Sequence, residues 1–500
     1  MKLINFIIKS MCGFSILISF ASCDDFLEYK DKDKIIPKEL SHFDEFVYGE
    51  IINKTEGSLM NYLSYMTDET MSYVSSSMWL SKEDLRDEMF SYFTWAKEPQ
   101  VRKDEVEVND KAWSFFYHRI LMCNITFEQV KELDEDIEGV KNRLLGESLF
   151  MRALSYFYLV NLYGEPYESA AQAKTALGVP INENVGVEAN VYNRATLDEN
   201  YTLMEEDLKA AITYFEKGQK KGGIYRPNKD AALLLLSRVY LYQKKYDDVI
   251  TVVDDLLKTT ETEIIPYSTL EKFISSDDVV YKVYNTNNPG MIFSWGKLDV
   301  DATGFGYDLM RHSKAFFCVS SELIGLYDEG NDLRFSRYYD KYDFNNYDEG
   351  IFYVATKNYC KASTANEAYD QALRLEEAYL NRAEAYIEKG EYELGMDDVN
   401  AIRAERIKGE YELVANSVDE AREFYRLEKR LEFSFEGLRW FDIRRWGLEI
   451  EHLYQDYSTP TVINHYVLKA GSPNYVLSLP LEIQRSDDKI ERFERVETKQ

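Results

Sequence analysis

AALLLLSRVYLYQKKYDDVITVV (231–253) and EAYLNRAEAYIEKGEYELGMDDV (377–399) superimpose at a constant offset of 146 residues. Ala232 then falls on Ala378, Leu234 on Leu380, Ser237 on Ala383, Tyr240 on Tyr386 and Tyr246 on Tyr392. Apolar residues recur every three to four positions, the period of an α-helix with a buried face. The small residues Ser237 and Ala383 allow a close helix crossing, a Tyr follows three positions on, and an aromatic stands near the turn. Each stretch therefore reads as two helices folded back on each other.

Such units match a tetratricopeptide helix pair, with generic helical hairpins as the alternative. Working outward, NRLLGESLFMRALSYFYLVNLYGEP (142–166) puts Leu145, Leu149, Ala153, Tyr156 and Val160 on one face and stops at Gly164 and Pro166. Leu197 to Lys217 is amphipathic through Leu203, Leu208, Ala211 and Phe215. Alternating β-type runs are scarce, so a mostly α protein is expected, with helix-pair repeats near 142–217, 230–258 and 370–406. Long insertions separate the repeats, which excludes a regular array. Residues 61–113 and 281–312 are the insertions richest in Trp, Tyr, Asn and Asp, and loops on a rigid frame are where binding residues concentrate.

The 500 residues carry a formal charge of −29, a surface that repels phosphate backbones, so nucleic acid is not an expected partner. With 39 Tyr, 27 Phe and 6 Trp, the chain has aromatic faces to spare for packing, and such faces also suit sugar rings. Cys123, Cys318 and Cys360 are too widely spaced for a disulfide framework and are expected as buried thiols. The amino terminus reads differently. Lys2 and Lys9 precede the apolar block Met11–Phe20, which is too short to span a bilayer. ISFASCDDF (18–26) then places small residues before Cys23, with Phe20 where a lipoprotein signal usually has Leu. Residues 1–22 are expected to be a lipoprotein signal peptide, Cys23 the acylated anchor, 23–40 a tether and 41–500 a single body. The acidic pair Asp24-Asp25 resembles a signal for export to the outer face of the outer membrane.

AREFYRLEKRLEFSFEGLRWFDIRRWG (421–447) carries an expected apolar stripe of Phe424, Leu427, Leu431 and Phe435, and a break at Gly437. Glu423 with Arg426 and Lys429 with Glu432 are spaced to attract. Glu428, Glu432 and Glu436 repel along one face, so if buried they need cations from elsewhere, which nearby arginines can supply. A structural ion network is the favoured reading over working acids at Glu432, Glu436 and Asp442. RLEKRLEFSFEGLRWFDIRRWG (426–447) resembles the C-terminal signature of the SusD/RagB family of outer-membrane nutrient-binding lipoproteins. The 142–166 helix, AYLNRAEAYIEKG with DDVNAIRAER (397–406), SSELIGLYDEGNDLRF (320–335) and YVLSLPLEIQRSD (475–487) resemble further landmarks of that family in the same order. Leu481 stands where a second Pro is common.

The resemblance implies a SusD-like α–α superhelix of four helix pairs supporting an irregular, loop-rich ligand-binding half. It implies a non-enzyme that captures oligosaccharide outside the cell, anchored in the outer membrane through Cys23. It also implies delivery to a SusC-type TonB-dependent transporter. The sugar contacts are not in these motifs and are chosen by chemistry: Trp79, Trp95 and Trp295 as platforms, with Tyr73, Tyr307, Asn287, Asn288, Asp299 and Asp301 as further candidates. DVDATG (299–304) resembles the front of a calcium loop, but Met310 stands where the bidentate Glu is required. It reads as an Asp/Gly turn, with non-EF calcium the alternative and no other cofactor expected. No HExxH, P-loop or GxSxG occurs, so a glycosidase lacks support. Peptide or other cargo on the same scaffold, and a structural lid or assembly scaffold without a ligand, remain alternatives.

Overall fold

Thr196 starts the first long amphipathic helix with a reciprocal cap. Its hydroxyl accepts the Glu199 N–H at 3.2 Å, and the Glu199 carboxylate accepts the Thr196 N–H at 2.7 Å. The helix runs Leu197–Lys217, the span its periodicity predicts. In chain order the main helices are α1 (Leu40–Phe46), α2 (Glu83–Phe93), α3 (Ala112–Lys131), α4 (Val140–Tyr163), α5 (Leu197–Lys217), α6 (Lys229–Tyr242) and α7 (Tyr246–Thr259). They continue as α8 (Leu375–Glu388), α9 (Tyr392–Ala404), α10 (Val418–Glu432) and α11 (Arg439–Trp446). The computed structural model describes residues 37–54, 59–72, 83–108, 110–134, 137, 139–185, 193–218, 223–270, 272–274, 279–281, 283, 288–295, 317–343, 351–355, 357, 371–455, 462–487 and 489–500.

The two superimposable stretches are the hairpins α6–α7 and α8–α9. Ala232, Ser237, Ala378 and Ala383 are all fully buried, and Asn381 donates to the Ser237 hydroxyl at 3.0 Å. The small positions thus bring the first helices of the two units together, and Arg238 locks the contact through a fork onto Glu377 (2.5 and 2.6 Å). Within the second hairpin, Gly395 of α9 crosses so close that a Cβ there would stand 2.6 Å from Ile387. The expectation of a single buried face fails for α4: with the exception of Arg152, every residue from Arg143 to Tyr163 is buried. α3 and α5 pack against this helix, and it reads as central because it is apolar nearly all round.

Short antiparallel strand pairs tie the connections down. β1 (Thr70–Ser72) pairs with β3 (Phe317–Val319), β2 (Met291–Trp295) with β4 (Gln371–Arg374), and β5 (Ile450–Gln455) with β6 (Ile463–Leu468). The main hydrophobic core runs from Leu40 to Ile490, so residues from both ends of the described chain share it. Among the described residues, no helix is long and apolar enough to cross a membrane.

α10 departs from its expected stripe. It ends at Glu432, Phe435 and Gly437 both take positive φ (58° and 76°), and Leu427 is 37 % exposed. The buried face is Ala421, Tyr425, Glu428, Lys429, Leu431 and Glu432, so the helix buries its charges. A hydrophobic pattern cannot reveal this, because the counter-charges come from distant segments.

Candidate functional site

The two aromatic-rich insertions are rooted at one place. Residues 73–82 follow Ser72 and residues 296–316 precede Phe317, and Ser72 lies directly opposite Phe317 in the β1–β3 register. The Ser72 hydroxyl also donates to the Leu453 carbonyl on β5 at 3.0 Å, which brings in the hairpin that brackets residues 456–461. Trp295 at the end of β2 pairs with Gln371 at the start of β4. Insertions 296–316 and 358–370 therefore share a second root.

Under the Ser72–Phe317 root lies an aromatic stack. His452 is sandwiched between Phe93 (ring centroids 4.0 Å apart) and Trp95 (4.3 Å), and Phe317 packs on Phe93 and Tyr65. Both imidazole nitrogens of His452 face carbonyls, Nδ1 that of Phe93 at 2.7 Å and Nε2 that of Thr67 at 2.9 Å. Burial nevertheless holds the imidazole below its ordinary pKa, against the pull of those acceptors.

Two of the expected platforms are core. Trp95 is fully buried in this stack and donates its indole N–H to the Met66 carbonyl at 2.9 Å, leaving no face for a sugar. Trp295 is 6 % exposed and stacks on Phe293 at 5.5 Å. Asn288 is buried too: its amide donates to the Val283 carbonyl (2.7 Å) and its oxygen accepts the Gly290 N–H (2.8 Å), so it holds a turn. Trp and Asn gave the same sequence signal whether they packed or pointed outward, and only burial separates the cases. Tyr73, Trp79, Asn287, Asp299, Asp301 and Tyr307 lie outside the described residues, as do Cys23, Cys360 and the DVDATG segment. Cys123 and Cys318 are buried free thiols, and burial pushes both up to about 12. Among the described residues, no cluster of His, Cys, Asp or Glu is placed to hold a metal.

The acids of the 421–447 segment are members of buried ion networks. Glu432 accepts from Arg406 (2.9 and 2.9 Å), Arg374 (3.0 Å) and Arg334 (3.5 Å). Glu428 takes Arg334 (2.6 Å) and Arg403 (2.9 Å), while Glu436 takes Arg374 (2.8 Å) and Lys357. With Glu376 on Arg406 (2.7 Å) and Asp332 on Arg334 (2.8 Å), five cations face five carboxylates. These cations hold the Glu432 and Glu436 carboxyls below their ordinary range against the opposing effect of burial. Burial lowers the Lys357 ammonium to about 8, with Glu436 acting against it.

The helix's own neighbours do not supply these charges. Arg439 forks onto Asp68 (2.8 and 2.7 Å), Arg445 onto Glu384 (2.6 and 2.6 Å), and Arg444 donates to the carbonyls of Asn161 and Gly164. Lys429 bonds Asp442 (3.1 Å) and not Glu432. Asp442 also accepts from Arg445 (2.8 Å), so all three suspected acids are neutralised inside the protein. Sequence reasoning missed Arg334, Arg374, Arg403 and Arg406 as the partners. Asp332-x-Arg334 and the arginines of DDVNAIRAER were nonetheless visible as landmarks.

Family comparisons agree with this architecture. A model described as "Starch-binding associating with outer membrane" matches residues 25–241, and one described as "SusD family" matches residues 281–471. Comparison with curated proteins gives no match. Among solved structures, a SusD superfamily protein from Bacteroides vulgatus ATCC 8482 is 20 % identical with a TM-score of 0.70, covering 91 % of this chain and 99 % of its own. A SusD superfamily protein from Bacteroides thetaiotaomicron VPI-5482 is 19 % identical with a TM-score of 0.69, covering 91 % and 98 %. A putative sugar binding protein from Bacteroides vulgatus ATCC 8482 is 21 % identical with a TM-score of 0.67, covering 92 % and 99 %. The fold is thus the mostly helical fold of SusD-like proteins. The chain belongs to the SusD/RagB family.

Proposed function

We propose that the protein is a glycan-binding lipoprotein of the outer cell surface, which captures oligosaccharide and hands it to a SusC-type TonB-dependent transporter. The observation that carries this reading is the Ser72–Phe317 pairing, which brings the start of one insertion rich in candidate sugar contacts and the end of the other to one point on a rigid helical frame. Family membership supports it, as does the fold shared with the putative sugar binding protein from Bacteroides vulgatus ATCC 8482.

Trp79 is the proposed platform, with Tyr73 and Tyr307 as further aromatic contacts and Asn287, Asp299 and Asp301 as hydrogen-bonding partners for sugar hydroxyls. Cys23 is the proposed lipid attachment, and the protein binds its ligand without turning it over. Electrophoresis of soluble protein starting at Asp24, through gels containing starch and other polysaccharides, tests this. Retardation by a glycan that gains no new reducing ends is the expected result. Free migration through every gel would remove the glycan and leave peptide cargo or a ligand-free lid, whereas released reducing ends would mark a hydrolase.

A further inference from the structure

Arg194 and Arg495 are both buried without a carboxylate partner. Arg194 (8 % exposed) spends Nε on the Glu491 carbonyl (2.8 Å) and Nη1 on the carbonyls of Tyr163 (2.8 Å) and Gly178 (2.7 Å). Arg495 (3 % exposed) spends Nε on the Ala96 carbonyl (3.1 Å) and Nη1 on those of Asn474 (3.1 Å) and Val476 (2.5 Å). On each guanidinium, Nη2 is buried and has no hydrogen-bond partner. The contrast with the Glu432 cluster is sharp, since every guanidinium there faces a carboxylate.

Both arginines line the same cleft, of about 170 Å³, between the Lys97–Gln100 turn, the Leu477–Leu479 segment and the irregular Arg492–Arg495 segment. Its buried charges are Arg194 and Arg495 alone. Lys97 and Arg492 on the exposed rim outweigh nothing by themselves, because Glu98 and Glu494 stand there too. The net excess is two positive charges in a chain of −29. Burial pulls the two guanidinium pKa values down, to about 10 for Arg194 and about 9 for Arg495, the direction an unneutralised buried cation takes. Buried cations of this kind call for an anion, and guanidinium forks suit oxyanions above other ligands. Since water takes about 30 Å³ of liquid volume, the cleft has room for one oxyanion with accompanying water.

We propose that this cleft binds a single oxyanion group held between Arg194 and Arg495. A free inorganic anion and the uronate or sulfate substituent of a sugar share this chemistry. The site does not depend on where neutral glycan binds. Soluble protein from Asp24 is melted in sodium sulfate, sodium glucuronate and glucose, against sodium chloride at equal ionic strength. Sulfate strengthens folds generally by exclusion. The readout is therefore the difference between the natural protein and Lys97→Glu/Arg492→Glu, whose substitutions fall on the exposed rim.

The expected result is an upward shift of the melting midpoint in sulfate or glucuronate that the double variant loses, with about tenfold weaker binding by calorimetry. A shift in sulfate alone identifies a free ion, and a shift in glucuronate but not glucose identifies a sugar acid. Crystals soaked in selenate supply a second readout independent of variant folding, with the anomalous selenium peak expected about 4 Å from both Nη2 atoms, the distance at which its oxygens accept their N–H groups. Equal shifts for both proteins in every salt, or selenate bound elsewhere only, would overturn the proposal.

Discussion

Arg406 grips Glu432 with two parallel hydrogen bonds, Nε to Oε2 and Nη2 to Oε1, both 2.9 Å long and both fully buried. The same guanidinium lies 3.7 Å over the Tyr267 ring and donates to the Ile265 carbonyl, so it joins the end of α9, the following helix α10 and the 265–267 segment. Three stretches that are far apart in sequence and look like separate landmarks (320–335, 397–406 and 426–447) therefore meet at one carboxylate.

Removing that carboxylate's charge should be costly. Glu432→Gln leaves Arg334, Arg374 and Arg406 short of a counter-ion in the interior, and breaking a buried pair in this way costs about 3–5 kcal/mol. Urea unfolding should show that loss, while Glu322→Gln, at the exposed pair with Arg430, should change stability by less than about 1 kcal/mol. Similar losses for the two variants would show that the network does not organise the core.

Acidity should act with two signs. The Glu384 carboxyl lies at about 2 because Arg445 outweighs the upward push of burial, and Glu432 and Glu436 are also held low. As pH falls from 4.5 towards 2 the unfolded chain takes up these protons first, so stability drops through that window. Glu69 is the opposite case: burial, with Asp68 adding to it, raises its carboxyl to about 7. Between 4.5 and 7 the folded protein keeps a proton that the unfolded chain has released, so this group's contribution is lost as pH rises. Glu69→Gln should therefore gain on the natural protein as pH rises through that interval, and Glu384→Gln should lose most above pH 4.5, its deficit shrinking as pH falls towards 2. Parallel pH profiles for both variants would contradict the assignment.

The tryptophans should divide by role. Trp95→Ala and Trp295→Ala remove large buried side chains and should each cost about 3–5 kcal/mol. Trp79→Ala is expected to alter glycan binding with little change in unfolding. Denaturant midpoints for the three variants check this, and an unchanged midpoint for Trp95→Ala would conflict with its position between Met66 and His452.

Peptide mapping after brief alkylation at neutral pH tests the thiols. Cys123 and Cys318, pushed up to about 12 by burial, should remain unlabelled until the protein unfolds. Rapid labelling of either in native protein would show that its segment opens.

Periodicity located α5 to the residue and the two hairpins nearly so, because capping chemistry and small residues at crossings are local signals. The charged core was half legible. The spacing of Glu428, Glu432 and Glu436 demands cations, but Arg374 and Lys357 come from segments with no pattern linking them to α10. The ligand platforms were least legible. Trp95 takes a left-handed conformation (φ 49°) and packs inward, an outcome decided by His452 some 350 residues away in the chain, which local sequence cannot encode.

Titration calorimetry of one retained glycan into soluble natural protein and into Trp79→Ala tests glycan capture most directly. The account predicts binding heat for the natural protein and at least about tenfold weaker binding for the variant, within the range of losing one aromatic anchor. Equal affinities would move the site away from the Ser72–Phe317 root, and no heat from any glycan would contradict carbohydrate capture itself.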